Sequence, residues 1–172
     1  MKTKDTLITV VAVAILALLG YVWFSPAGIG TAPDVKFTTL DNQPLTLKSL
    51  QGKPVLLTFW ATSCTGCIKE IPHLVELHNK LAAKGLTIIG VTMAYDPPNH
   101  VTELVKQRQL PYVIAMDIDG SVARAFGDIK LTPTTFLISP DGRIVMKKIG
   151  EFDTASVAAR IEAMLKPQQA AL

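Results

Sequence analysis

The sequence predicts an α/β domain with a mixed central β-sheet flanked by helices, preceded by an N-terminal β-hairpin and an N-terminal transmembrane helix. Three observations predict it. Two short, nearly continuous apolar runs, 55–60 and 86–93, read as strands buried on both faces, and each leads into a segment of helical character. A later pair of runs, 134–138 and 143–149, is joined by Ser139-Pro140-Asp141-Gly142, which is turn chemistry between antiparallel strands. Ahead of both lies an 18-residue apolar block without a charge or a proline. Strands separated by helices early, with a hairpin late, give a mixed sheet covered on both sides.

The apolar block, Leu7 to Phe24, would span about 27 Å as a helix, close to the thickness of a bilayer core. Lys2 and Lys4 precede it, and no basic residue falls in Ser25 to Asp34. The positive-inside rule therefore places residues 1–6 in the cytoplasm, 7–24 in the membrane and the remainder across it. Tyr21, Trp23 and Phe24 stand where an interfacial aromatic belt would lie. A cleaved signal peptide would have a shorter apolar region. Its only A-x-A-like cleavage site, near Ala32, is followed by Pro33, which blocks cleavage. No cysteine directly follows the block, so lipoprotein anchoring is excluded. Residues 25–33, rich in Gly, Ala and Pro, read as a tether, 34–166 as the domain and 167–172 as a flexible polar tail.

Composition narrows the function. The chain of 172 residues has room for one domain with a real core, and its 49% apolar content is inflated by the N-terminal block. Net charge is +3; setting aside Lys2, Lys4 and Asp5 leaves 15 basic and 13 acidic residues, too balanced for a nucleic-acid surface. The two cysteines are three residues apart, a loop too short to staple a small scaffold.

Within the domain, Val35–Leu40 and Pro44–Leu47 flank Asp41-Asn42-Gln43 as a hairpin. Gly52-Lys53-Pro54 breaks the chain before the strand Val55–Trp60. Ser63–Lys84 carries a helical stripe through Ile68, Ile71, Leu74, Leu77 and Leu81. It continues past Pro72, which should kink the helix rather than end it, and Gly85 supplies the stop. Leu86–Met93 is a second buried strand. Asp96-Pro97-Pro98-Asn99 reads as a loop ending in a cap, with a helix over Val101–Gln109. Tyr112–Met116 is a third strand, followed by the turn Asp117-Ile118-Asp119-Gly120 and a helical stretch over Ser121–Phe126. After the late hairpin, Thr154–Leu165 is a closing amphipathic helix.

Cys64-Thr65-Gly66-Cys67 falls where the first buried strand hands over to a helix. The first cysteine then sits at a helix N-terminus, whose free N–H groups and dipole favour a thiolate. The thiolate is the attacking species, so Cys64 reads as the nucleophile. The i, i+3 spacing brings both sulfurs to one face, within reach of a disulfide, and makes Cys67 the resolving thiol. Two successive thiol–disulfide exchanges need no cofactor. The competing reading is half of a zinc site, but there is no second cysteine pair, and His73, His78 and His100 lack zinc-finger spacings. His73 and His78 are expected on the outer surface of the helix.

The run FWATSCTGCIKEIP, Phe59 to Pro72, resembles the active-site segment of thioredoxin-fold proteins, and specifically the TlpA/ResA group of anchored periplasmic oxidoreductases. The resemblance extends from Pro33 to about Lys166 and includes GKPVLLTFWA and LTPTTFLISPDG. It implies a thioredoxin-like fold and a cis Thr132-Pro133 peptide lying against the active-site disulfide, with the Thr132 backbone offered to an extended substrate peptide. It implies a role for Glu70, three residues after Cys67, as the group that carries the Cys67 proton once burial raises its pKa. The aspartate that thioredoxin buries on the preceding strand is replaced here by Thr58. Trp60 matches a family tryptophan that packs beneath the site. Ser63 stands where many relatives have a second tryptophan, and Thr65-Gly66 replaces the Gly-Pro or Glu-Pro of relatives, which leaves the redox potential open.

By resemblance, the chain is expected to act as a disulfide reductase on exported or cytochrome-maturation proteins in a bacterial periplasm, held in the inner membrane through 7–24 and fed by a membrane electron donor. A thioredoxin-fold copper chaperone is the alternative, since soft thiolates suit Cu(I). Those proteins place three residues between the cysteines and add a histidine, for which only His100 is available. A peroxiredoxin-like peroxidase shares the fold, but its Pro-x-x-x-Thr-x-x-Cys pattern is absent around Cys64.

Overall fold

In the computed structural model, residue 11 and residues 13–16, 29–41 and 43–166 are described. From residue 29 to residue 166 the described elements follow one another as β1 Gly30–Thr31, β2 Lys36–Thr38, β3 Pro44–Thr46, β4 Val55–Trp60, α1 Thr65–Leu81, β5 Thr87–Thr92, α2 Pro98–Arg108, β6 Val113–Met116, α3 Ser121–Ala125, β7 Thr134–Ile138, β8 Arg143–Ile149 and α4 Thr154–Leu165. Six strands form the central sheet in the order β1-β8-β7-β4-β5-β6, with β4, β5 and β6 parallel and β7, β8 and β1 antiparallel to their neighbours. This is the mixed sheet and thioredoxin-like α/β architecture that the sequence predicts.

β4 is buried at all six positions because both faces of the sheet are covered. Alternate residues feed two cores. Val55, Leu57 and Phe59 join Phe136, Ile138 and the α3 side chains Val122 and Ala123 on one face. There the Phe59, Phe126 and Phe136 rings meet at centroid distances of 5.0–6.1 Å, in edge-on and tilted geometry. On the other face, Leu56 and Trp60 pack with Cys67, Leu74, Leu77 and Leu81 of α1, Val101 of α2 and Val157 and Ile161 of α4. The chemistry is therefore built on the second face, over the C-terminal end of β4.

β2 and β3 pair antiparallel as the expected hairpin, forming a separate sheet closed by Thr39, whose hydroxyl donates to the Gln43 carbonyl and accepts its N–H, both at 2.9 Å. The hairpin caps the β6 edge: Leu40 N–H donates to the Ile114 carbonyl at 3.0 Å. Such cover blunts an otherwise open sheet edge.

Several expectations change in detail. Gly30-Thr31, read as the end of a tether, instead pairs with Ile144 and Arg143 as an edge strand. α1 runs unbroken past Pro72 but starts at Thr65 and gives way to a 3-10 turn at Ala82–Lys84, which Gly85 ends at φ +116°. α2 begins at Pro98 rather than Val101. A proline at the first helical position forfeits only an N–H that has no intrahelical partner anyway, so the pair of prolines opens the helix instead of holding a loop. His78 is half-buried rather than on the outer surface: its Nδ1 is enclosed, and its ring lies 6.5 Å from that of Tyr112. The membrane-spanning expectation for 7–24 falls largely outside the described residues, of which residues 11 and 13–16 are helical and exposed where they are described. Among the described residues no helix is long and apolar enough to cross a membrane. The tail 167–172 also lies outside them.

Candidate active site

The site assembles where β4 ends. Two hydrogen bonds fix the segment between Trp60 and Cys64 from the loop after β5. Thr62 donates its N–H to Asp96 Oδ2 at 2.7 Å and its hydroxyl to Asp96 Oδ1 at 2.5 Å. Asp96 is buried, so this carboxylate spends its capacity on holding the lead-in to the cysteines.

Cys64 is the N-cap of α1, as the sequence predicts, and its sulfur accepts the Cys67 N–H at 3.1 Å. The two sulfurs are joined as a disulfide across a Cα–Cα distance of 5.2 Å. Cys64 is half-buried and Cys67 is 3% exposed, so an incoming sulfur meets Cys64 first. Reduced, Cys64 would present its sulfur to the free N–H groups of a helix start, the environment that lowers a thiol pKa.

Glu70 lies one turn beyond Cys67 in the buried stripe of α1 and is 2% exposed. Oε1 accepts the N–H of Phe152 at 3.3 Å. Loss of hydration pushes the carboxyl up from 4.5 to about 7; the Phe152 hydrogen bond opposes this, and the charge of Glu151 adds to it. Burial also drives the Tyr112 hydroxyl well above its ordinary range, with a contribution from the Glu70 charge. Thr58, at the place of the missing strand aspartate, is buried and accepts the Thr135 hydroxyl at 2.9 Å. It offers no titrating group, whereas Glu70 is a buried carboxyl one helical turn beyond Cys67.

Thr132-Pro133 is a cis peptide. Its ring abuts the Cys-x-x-Cys loop: a side-chain carbon added at Gly66 would lie 3.5 Å from Pro133 Cδ and 3.8 Å from Glu151 Oε1. Trp60 is 5% exposed in the same core as Cys67, with its indole over Gly90. The predicted residues Cys64, Cys67, Glu70, Trp60 and Pro133 thus converge. His73 and His100 are exposed, and among the described residues no group of three or more His, Cys, Asp or Glu side chains is placed to hold a metal ion.

Sequence reasoning missed Asp96, Glu151 and the Phe152 N–H. Thr62 and Asp96 are 34 positions apart, and Glu70 and Phe152 82, so no local spacing reveals either contact. The Gly150-Glu151 step after β8 is the one faint cue, a glycine at φ +81° that turns the chain back toward the site.

A family model described as Redoxin matches residues 29–165. The chain is 38% identical over 120 residues to the thiol-disulfide oxidoreductase ResA of Bacillus thuringiensis subsp. konkukian, which covers 70% of this chain and 68% of that one. It is 29% identical over 177 residues to ResA of Geobacillus thermodenitrificans, across 97% of this chain and 100% of the other. A solution structure from Neisseria meningitidis described as a thioredoxin superposes with a TM-score of 0.75 at 31% identity, covering 82% of this chain and 93% of that one.

Proposed function

The chain belongs to the Redoxin family as a thioredoxin-like thiol–disulfide oxidoreductase of the ResA/TlpA type, and on that premise we propose that it reduces disulfides in exported cysteine proteins. The observation that carries the reading is a buried carboxyl with a pKa of about 7, one helical turn from the inner cysteine.

The reaction runs in two exchanges. The Cys64 thiolate attacks one sulfur of a substrate disulfide, a mixed disulfide forms, and the other substrate sulfur leaves as a thiolate that takes a proton from solvent. Glu70 then accepts the Cys67 proton, and the Cys67 thiolate attacks Cys64 Sγ. The second substrate sulfur departs with a proton, Cys64 and Cys67 are left as a disulfide, and two electrons have moved to the substrate. A membrane dithiol donor restores the pair by the same exchanges in reverse. The backbone at Thr132, beside the cis Pro133, holds the substrate segment extended across Cys64, while Trp60 supports the pair from below.

The location belongs to the same proposal. Residues 7–24 hold the protein in a bacterial inner membrane with residues 1–6 in the cytoplasm, and the domain works in the periplasm, where oxidised cysteines are the default and a reductant has substrates. Cytochrome-maturation proteins, whose thiols must be reduced before haem attachment, are the favoured substrates.

The reduction potential tests the direction. Full-length protein in detergent is equilibrated against glutathione or dithiothreitol, with Cys64→Ser as the control. A value at or below roughly −220 mV is expected of a reductase; a value near roughly −120 mV reverses the direction.

A further inference from the structure

One three-residue loop, Gly150 to Phe152, reaches Pro133, Glu70 and the surroundings of Gly66. Gly150 N–H donates to the Pro133 carbonyl at 2.8 Å, and Phe152 N–H donates to Glu70 Oε1 at 3.3 Å. Between these anchors, the Glu151 carboxylate lies 3.8 Å from where a side-chain carbon on Gly66 would stand, and the cis-proline ring closes the same spot at 3.5 Å. Both ends of the loop are hydrogen-bonded, so the backbone of Glu151 is fixed beside Gly66 and Pro133.

Glu151 is exposed, and it takes part in none of the ion pairs of the described residues. Lys130, at the neighbouring loop, is occupied by Asp128 at 3.0 Å. A carboxylate beside the seat of a mixed disulfide favours a cation in whatever docks there and opposes an anion.

We propose that Glu151 is a specificity-determining residue that selects substrates carrying Lys or Arg beside the reacting cysteine. The proposal rests on the oxidoreductase reading above and deepens it by giving the chemical class of substrate. While the substrate sulfur is bonded to Cys64, residues flanking that sulfur lie over Gly66 and Pro133, within reach of Glu151. A basic flank gains an ion pair at this stage, and an acidic flank meets a like charge.

The test uses full-length protein in detergent, reduced with dithiothreitol and then freed of it because free dithiol would itself cleave the probe, and three otherwise identical peptides with Lys, Gln or Glu beside a cysteine capped as its 2-thiopyridyl disulfide; each reaction is a single turnover whose second-order rate constant stands for kcat/KM. Cys64 attacks the peptide sulfur and releases 2-thiopyridone, which is read by absorbance. At low ionic strength kcat/KM should be about five-fold higher for the Lys peptide than for the Glu peptide, the size of an exposed ion pair. The ratio should collapse toward one in Glu151→Gln, survive in Glu151→Asp, and shrink in about 0.5 M salt. A ratio of one in the unmodified protein, or a ratio that Glu151→Gln leaves intact, overturns the proposal while turnover of the Gln peptide keeps the oxidoreductase reading standing. If no peptide is reduced, that reading fails and the selectivity fails with it.

Discussion

The N–H of Phe152 donates to Glu70 Oε1 at 3.3 Å, so the loop after β8 holds a buried carboxyl in place one helical turn beyond Cys67. Burial raises the Glu70 pKa to about 7 despite this hydrogen bond, which by itself favours the charged form. Desolvation therefore outweighs the single donor.

A pH-dependent second exchange follows. Below about 7, Glu70 holds a proton and cannot accept one from Cys67; above it, the carboxylate can. The release of the second substrate thiol should rise with pH through about 7 and level off. Glu70→Gln should lose that inflection and slow the step about 10- to 100-fold at pH 8. Single-turnover release from a preformed mixed disulfide measures it. A Glu70→Gln profile with the same inflection assigns the titration to another group.

The same carboxyl costs stability. In the unfolded chain Glu70 ionises near 4.5, whereas in the folded protein it does so near 7. The native state thus binds the proton more tightly, and stability falls as pH rises across that window. The cost should reach on the order of 3 kcal/mol above pH 7 and vanish below 4.5. Glu70→Gln keeps an acceptor for the Phe152 N–H and removes the charge. Urea denaturation of the oxidised proteins should show the variant more stable at pH 8 and equal at pH 4. Equal midpoints at both pH values would contradict the burial penalty.

Much of the fold is legible from one sequence because its signals are local. The run 55–60 and the helix 154–165 occupy the observed spans, since an unbroken apolar run and a 3.6-residue stripe each have one ready structural use. Pro98 misleads because a proline ahead of a helical stripe reads as a loop, whereas at the first helical position it costs no hydrogen bond. The chemistry divides in the same way. Cys64 at a helix start is visible in the spacing, and Glu70 through the resemblance of its segment to the TlpA/ResA group. By contrast, the Asp96–Thr62 and Phe152–Glu70 hydrogen bonds exist only once β5 and β8 lie beside β4 and β7.

Asp96 should behave as a positioning residue for the cysteine loop. Its carboxylate receives both donors of Thr62, at 2.7 and 2.5 Å, two residues before Cys64. Asp96→Ala strands a backbone N–H and a hydroxyl in a half-buried setting and should cost about 2 kcal/mol. Thr62→Val removes one of the two bonds and should cost about 1 kcal/mol. If the bonds position the thiol, the Asp96→Ala protein should also attack a small disulfide more slowly through Cys64, with the Glu70-dependent second step unchanged. Denaturation midpoints together with the two separated rates check this. Loss of stability with both rates intact reduces Asp96 to a scaffold role.

Gly90 sets how deeply the indole of Trp60 can lie under the site. A Cβ at Gly90 would stand 3.0 Å from Trp60 Nε1 and 3.1 Å from Ile114 Cδ1, closer than ordinary contacts allow. Both neighbours are packed in the core that also holds Cys67, so neither can yield freely. Gly90→Ala should therefore cost about 1–3 kcal/mol through overpacking. Trp60 fluorescence should then differ from that of the unmodified protein, and the change on reducing Cys64–Cys67 should be altered. Replacing Trp23, the other tryptophan of the sequence, by Phe in both proteins leaves Trp60 as the reporter. A Gly90→Ala protein of undiminished stability with unchanged emission in both redox states would show that the strand shifts to admit the methyl group and that Trp60 is not seated by Gly90.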